Sequence, residues 1–263
     1  MEIVITADAE AAAEAAAGAI ERLVVKHPNA VLGLATGSSP LPTYRRLIAA
    51  HREGRLSFAS VRAFLLDEYV GLPADHPESY RAFIQREFTD HVDLPSDRLQ
   101  GPDGSGSDAE LRTAADRYEA SITEAGGIDL QLLGIGRDGH IGFNEPTSSL
   151  GSRTRLKTLT ETTRVDNARF FDDDVDAVPR HVLTQGIGTI LDARHLLLVA
   201  TGASKAEPVA RAVEGPLTAM VPASALQLHP RATVVIDKKA AAKLIHANYY
   251  RHAYAHKPEW QRF

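Results

Sequence analysis

A histidine set among glycines and carboxylates is the first stretch of this sequence that spells out chemistry. In GIGRDGHIGFNEP, Gly134 to Pro146, Asp138 stands two residues before His140 and Glu145 five residues after it. Imidazole moves protons near neutral pH, and a neighbouring carboxylate can fix its tautomer and raise its basicity. No serine, threonine or cysteine lies inside the run, so the constellation favours proton transfer over a covalent intermediate. Glycines 134, 136, 139 and 142 allow a bent backbone and close approach to a ligand. Two other readings stay open. Asp138, His140 and Glu145 could hold a metal, although the spacing is not HExxH, or His140 could be a structural histidine in a capped loop.

A second pair of carboxylates, Asp67 and Glu68, closes the apolar run Val61 to Leu66. Adjacent side chains on an extended chain point opposite ways, so one of the two is expected to face a site. A carboxylate placed beside a sugar phosphate can take the proton alpha to a carbonyl, the step that interconverts aldose and ketose. Capping of the following turn is the plainer alternative for both.

Two stretches suit an anion. Thr36-Gly37-Ser38-Ser39-Pro40 joins an apolar run to a helical pattern, where backbone N–H groups and hydroxyls converge. It lacks the GxxxxGK[ST] spacing of a nucleotide P-loop, and a tight turn with a serine cap would look much the same. Lys205 ends Gly202-Ala203-Ser204-Lys205 after another apolar run. With Arg169 these groups suggest a small phosphorylated substrate. His51, His91, His246, His252 and His256 read as surface or helix-end residues.

The elements that must position these groups alternate. Short apolar runs at Ile3 to Ile5, Ala30 to Ala35, Val61 to Leu66, Asp129 to Gly134, His195 to Thr201 and Ala232 to Asp237 read as strands. Helices are expected after Asp8 as far as about Lys26, from Pro40 to about His51, from Pro77, from a Ser107–Glu110 capping box through Tyr118, after Lys205 to about Glu214, and from near Lys238. Alternation of this kind argues an α/β fold with a mostly parallel sheet covered on both faces. Ligands of such sheets sit in loops at the carboxyl ends of the strands, where the four candidate loops fall. Residues 150 to 179 show no clean period and are expected to form a flap or a mixture of short elements. Trp260 and Phe263 in the polar tail either dock the terminus or are exposed. One domain over residues 1–263 is expected, with the flap around 150–180.

Composition narrows the function. The 263 residues carry a formal net charge of −5 and interspersed signs, so no nucleic-acid partner is expected. The absence of cysteine excludes disulfides, a cysteine nucleophile and thiolate metal sites. No signal-peptide pattern or membrane-length apolar run occurs, and a cytoplasmic location is expected.

With these residues in view, the chain resembles the glucosamine-6-phosphate deaminase family. The matching runs are LGLATGSSP, LDEYVGLPADHPESY, GIGRDGHIGFNEP, SSLGSRTRLKTLT and TRVDNARFF, with LTQGIGT, TGASKA and LQLHP following in order. The resemblance reaches from the first strand to about His229 and is weakest in the last thirty or so residues. It implies a modified Rossmann-like three-layer sandwich with a mostly parallel central sheet, and no metal or organic cofactor. It implies that Asp67 moves the proton between C2 and C1, and that His140 opens the sugar ring with Asp138 and Glu145 as acidic partners. Thr36, Gly37, Ser38, Ser39, Arg169 and Lys205 would hold the phosphate of glucosamine 6-phosphate. Ser148, Ser149, Arg155 and Lys157 match an effector site for N-acetylglucosamine 6-phosphate in hexameric members. TGSSP and TGASKA depart slightly from the commoner TGGTP and GSxKA runs but keep the N–H donors and the lysine. A related lactonase family shares a similar histidine loop, so 6-phosphogluconolactonase is the rival activity, and DEYVGLP argues against it. A sugar-phosphate isomerase without deamination is a second rival. A non-catalytic sugar-phosphate sensor is the third. Only two residues precede the first strand, so an appended DNA-binding helix-turn-helix is not expected.

Overall fold

The computed structural model describes residues 1–263 other than Ala74, Glu259, Trp260, Arg262 and Phe263. The docking question for Trp260 and Phe263 therefore lies outside the described residues. Seven strands build the main sheet: β1 (Glu2–Thr6), β2 (Val31–Leu34), β3 (Arg62–Leu65), β5 (Leu99–Gln100), β6 (Leu130–Leu133), β9 (Leu196–Ala200) and β10 (Ala232–Asp237). They run in the order β1-β10-β9-β6-β2-β3-β5, and every pairing among them is parallel. β2, β6, β9 and β10 are buried along their whole length, as strands sandwiched between two layers must be. The chain moves outward from β2 to β3 and β5, then returns to place β6 on the other side of β2. That reversal opens a crevice beyond the carboxyl ends of β2 and β6, the usual ligand position in such a sheet.

A second, antiparallel sheet holds β4 (Asp67–Tyr69), β8 (His181–Thr184) and β7 (Arg155–Thr158), in the order β4-β8-β7. Only Leu66 separates β3 from β4. Its N–H reaches Leu34 O in the main sheet at 3.3 Å, and its carbonyl accepts from Gln185 N at 2.8 Å. The sequence suggested that Asp67 would end a strand in a loop. In fact it opens a strand of the small sheet, locked to Thr184.

The helices are α1 (Ala9–Lys26), α2 (Leu41–Arg52), α3 (Tyr80–Glu87), α4 (Asp108–Glu124), α5 (Glu161–Ala168), α6 (Ile187–Leu191), α7 (Ala206–Val213) and α8 (Ala247–Ala255). Asp8 caps α1 through Ala11 N, and Ser107 with Glu110 forms the expected capping box on α4. Two starts differ from expectation. α3 begins at Tyr80 because the Ser79 side chain, not Pro77, supplies the cap. Residues after Asp237 form turns, and the last helix starts at Ala247. The stretch without a period resolves into β7, α5 and turns, joined to β8 and α6, which the sequence did not signal.

Large apolar side chains such as Tyr44, Phe58, Phe64 and Phe88 are fully buried in the main core, each contributing about 1.5–3 kcal/mol. Tyr69, Phe143, Phe171 and Val182 belong to a separate cluster under the small sheet. The crevice lies where the two clusters meet.

Candidate active site

Three loops and one strand end converge on a cavity of about 350 Å³, within the usual range for small-molecule sites. The loop after β2 supplies Thr36, Gly37, Ser38 and Ser39, all of which line it. Beneath that loop the Tyr44 hydroxyl accepts from Ala35 N at 3.1 Å and donates to Ala35 O at 2.7 Å. Its ring stacks on Phe88 at 4.8 Å, so core packing fixes the loop. Pro40 occupies the N-cap of α2 with no side-chain cap hydrogen bond. The serines therefore face the cavity and do not cap the helix, leaving the positive helix end open to an anion.

Arg169 and Lys205 reach the same cavity from elsewhere in the sequence. Arg169 ends α5, its guanidinium 4.7 Å from the Phe170 ring centroid. Lys205 donates to Ile135 O at 2.7 Å. Burial, with Arg169 and Arg137 nearby, lowers the Lys205 pKa despite the opposing pull of Asp166 and Asp138. Its loop is tied down by Asp237, whose Oδ1 accepts from Gly202 N at 3.0 Å and Ala240 N at 2.8 Å.

At the start of β4 the carboxylate pair separates as strand geometry requires. Asp67 lines the cavity and Glu68 does not. Glu68 accepts from the backbone N–H groups of Tyr69 (2.8 Å), Tyr80 (2.9 Å) and Arg81 (2.9 Å), which ties β4 to the start of α3. Among the described residues none donates a hydrogen bond to the Asp67 carboxylate. Burial first, and the charge of Glu68 second, push the Asp67 pKa well above the ordinary carboxylate range. A largely buried carboxylate of raised pKa that faces a cavity without a protein donor has the properties of a proton acceptor.

His140 also lines the cavity, on the loop after β6. Its Nδ1 lies 2.7 Å from Asp138 Oδ1, with the carboxylate to one side of the ring N–H direction. Burial would raise the pKa of Asp138, but contact with the His140 ring and main-chain N–H outweighs it and holds the group below its usual range. The ring lies against Gly136, where an added Cβ would come within 2.1 Å of it. Gly142, at φ 54°, brings the backbone so close that a Cβ would sit 3.4 Å from Asp67 Oδ2 and 3.0 Å from Thr184 Oγ1. These two glycines allow the imidazole and the Asp67 carboxylate to share one cavity.

Glu145 is the member of the expected group that does not meet the histidine. Its Oε1 accepts from Thr160 N at 3.3 Å, from Thr160 Oγ1 at 3.0 Å and from Thr163 Oγ1. It thus holds the amino end of α5, the helix that carries Arg169 toward the cavity. Of the effector candidates, Ser148 is buried with no hydrogen-bond partner for its hydroxyl, and Ser149 is exposed. Lys157 is half-buried on β7. Arg155 turns inward to donate to Asn144 Oδ1 at 2.8 Å. None of the four lines the cavity.

Sequence reasoning missed several lining residues. Tyr69 sits in the small-sheet cluster, its hydroxyl accepting from Asn167 at 2.9 Å, and burial pushes its pKa up to about 12. Asp166 and Arg137 also line the wall. Arg137 lies inside the GIGRDGHIGFNEP run and Asp166 inside TRVDNARFF, but neither was singled out from the sequence. Among the described residues, no group of three or more His, Cys, Asp or Glu side chains is arranged to hold a metal ion, and no helix is long and apolar enough to cross a membrane.

The family described as glucosamine-6-phosphate isomerases/6-phosphogluconolactonase matches residues 6–235. The chain belongs to this family. Within it, the chain is 58% identical to a glucosamine-6-phosphate deaminase of Streptomyces coelicolor over 99% of both chains. It is 59% identical to that of Rhodococcus jostii over the full length of both. A solved monomeric glucosamine-6-phosphate deaminase superposes with a TM-score of 0.89 at 44% identity, covering 92% of this chain and 100% of the other. A 6-phosphogluconolactonase of Trypanosoma brucei superposes at 0.75 with 22% identity, covering 92% and 98%. That likeness speaks to the fold, the α/β arrangement expected from the strand pattern.

Proposed function

We infer that this chain deaminates glucosamine 6-phosphate, releasing ammonia and fructose 6-phosphate. The observation that carries the reading is Asp67: a buried, unbonded carboxylate in the wall of a cavity that is also lined by the loop at the amino end of α2, Arg169 and Lys205. High identity to deaminases across the whole chain supports it.

In this mechanism the phosphate binds at Thr36 to Ser39, Arg169 and Lys205. A remote anchor of this kind lets binding energy orient the reacting carbons. His140, with Asp138 beside its Nδ1, transfers the proton that opens the ring and exposes the C1 aldehyde. Asp67 takes the C2 proton while O1 gains one, giving the C1–C2 enolamine, and Asp67 then returns its proton to C1 to give the ketose-level iminium. Water then adds to C2 and ammonia leaves. The raised Asp67 pKa suits a group that must both accept and donate a proton. Glu145 serves this chemistry through α5, as a positioning residue for the wall that bears Arg169. Helix α5 and the turns after it act as the flap within one domain.

The matches at Ser148, Ser149, Arg155 and Lys157 support activation by N-acetylglucosamine 6-phosphate in a hexamer. The inward turn of Arg155 toward Asn144, on the same loop as His140, provides a physical route between those residues and the site. A cytoplasmic setting fits a phosphorylated substrate. The test is ammonia release from purified protein with glucosamine 6-phosphate, beside N-acetylglucosamine 6-phosphate and 6-phosphogluconolactone. Ammonia from the first alone supports the deaminase, and lactone hydrolysis without ammonia overturns it. Kinetics that stay hyperbolic and unchanged on adding the N-acetylated sugar remove the activator.

A further inference from the structure

We propose that Arg137 is a third cation for the substrate's phosphate, held by Asp166 until the anion arrives. The inference rests on the proposed function only in requiring a phosphorylated ligand. Arg137 stands on the loop after β6, between Gly136 and Asp138, and Asp166 stands on α5; both side chains line the cavity. Their contact joins these two walls through a single pair of atoms, Nη1 to Oδ1 at 3.3 Å. The Arg137 side chain is 74% exposed and that of Asp166 42%. An exposed one-point ion pair of this length is weak, typically about 0.2–1 kcal/mol. It leaves most of the guanidinium donors unused. A phosphate offers three oxygens and a matching planar, two-point contact.

The charges around Arg137 favour that exchange. Arg169 and Lys205 line the same cavity, and the Lys205 pKa is lowered by burial first and then by the charges of Arg169 and Arg137. Asp166 and Asp138 act in the other direction. Of these two carboxylates, Asp138 is already engaged by His140 at 2.7 Å, and Asp166 is the one paired with Arg137. An anion entering among the cations relieves their repulsion and competes directly with Asp166 for Arg137. Asp166 then works as a place-holder: it keeps Arg137 at the cavity wall and taxes anion binding slightly.

A plain latch between the loop and α5 makes a different forecast, which decides the test. Binding of fructose 6-phosphate and of inorganic phosphate is measured by calorimetry on the parent, Arg137→Ala, Asp166→Asn and the double variant. Melting temperatures serve as folding controls, and both side chains are exposed enough to be replaced without loss of the fold. Arg137→Ala should weaken both ligands about three- to tenfold. Asp166→Asn should tighten both about two- to fivefold, and less so once Arg137 is absent. Weakening by both substitutions to a similar degree would mean a latch and would overturn the proposal. So would binding within twofold of the parent in Arg137→Ala. Because binding is read without turnover, a protein that binds these ligands as forecast but releases no ammonia loses the deaminase reading and keeps this one.

Discussion

Replacing Glu68 by Gln separates the two adjacent carboxylates. In the parent, Glu68 Oε1 accepts from Tyr69 N and Tyr80 N, and Oε2 accepts from Arg81 N at 2.9 Å. Glutamine supplies one acceptor oxygen, so the Arg81 N–H must face an amide NH2. A buried donor left unsatisfied costs about 1–3 kcal/mol. Burial also raises the Glu68 pKa in spite of its three N–H partners, so removing the charge relieves a desolvation penalty and offsets part of that loss. A net destabilisation of about 1–2 kcal/mol remains, equivalent to about 2–8 °C in Tm for a chain of this size. The second consequence concerns Asp67. The charge of Glu68 helps hold the Asp67 pKa up, so its removal should move the acid limb of kcat/KM to lower pH. Thermal melts and a pH–rate profile on the same preparation read both effects. An unchanged Tm with turnover lost at every pH would show that Glu68 is the reacting group and that the facing of the pair has been misjudged.

Asp67→Asn should raise Tm, increasingly so toward alkaline pH. The folded-state pKa of Asp67 is raised, so this group's contribution to parent stability is full below the unfolded carboxyl pKa and is lost as pH rises from there through the raised folded value; asparagine never ionises, and a Tm difference that stays flat from acid to alkaline pH would contradict this. Lys205→Ala should raise KM about tenfold to a hundredfold with a smaller fall in kcat, since the ammonium would touch the phosphate and not the reacting carbons; an unchanged KM with lost turnover would remove it from the phosphate site. Ammonia release should survive exhaustive chelation, because Asp138 is committed to His140 and Glu145 to Thr160 and Thr163. Loss of activity in EDTA and recovery with a divalent ion would sink the metal-free mechanism.

Much of this architecture was legible because its signals are local. The apolar runs behind β1, β2, β6, β9 and β10 are short and sharply bounded, and Asp8 and Ser107–Glu110 cap helices through contacts three residues apart. The small sheet was not legible. β8 is four residues long, and β4 follows β3 after a single residue, so neither carries a turn signal of its own. What makes them strands is pairing between distant segments, Asp67 with Thr184 and Arg155 with Thr184.

The candidate site divides in the same way. Strand alternation was enough to expect Asp67 and Glu68 to face apart, and the spacing of Asp138 and His140 was enough to expect contact. Glu145 shows the limit. Its partners, Thr160 and Thr163, lie on the next helix, and sequence distance from His140 carried no information about them. Arg137 and Asp166 meet across 29 residues for the same reason.

The most direct test follows deuterium at C2 of glucosamine 6-phosphate in D2O, alongside ammonia release, for the parent and folded Asp67→Asn. The parent should exchange the C2 hydrogen and release ammonia, while the variant should bind the sugar phosphate yet exchange it about a hundredfold to ten-thousandfold more slowly. Exchange at the parent rate in Asp67→Asn would show that another group moves the C2 proton.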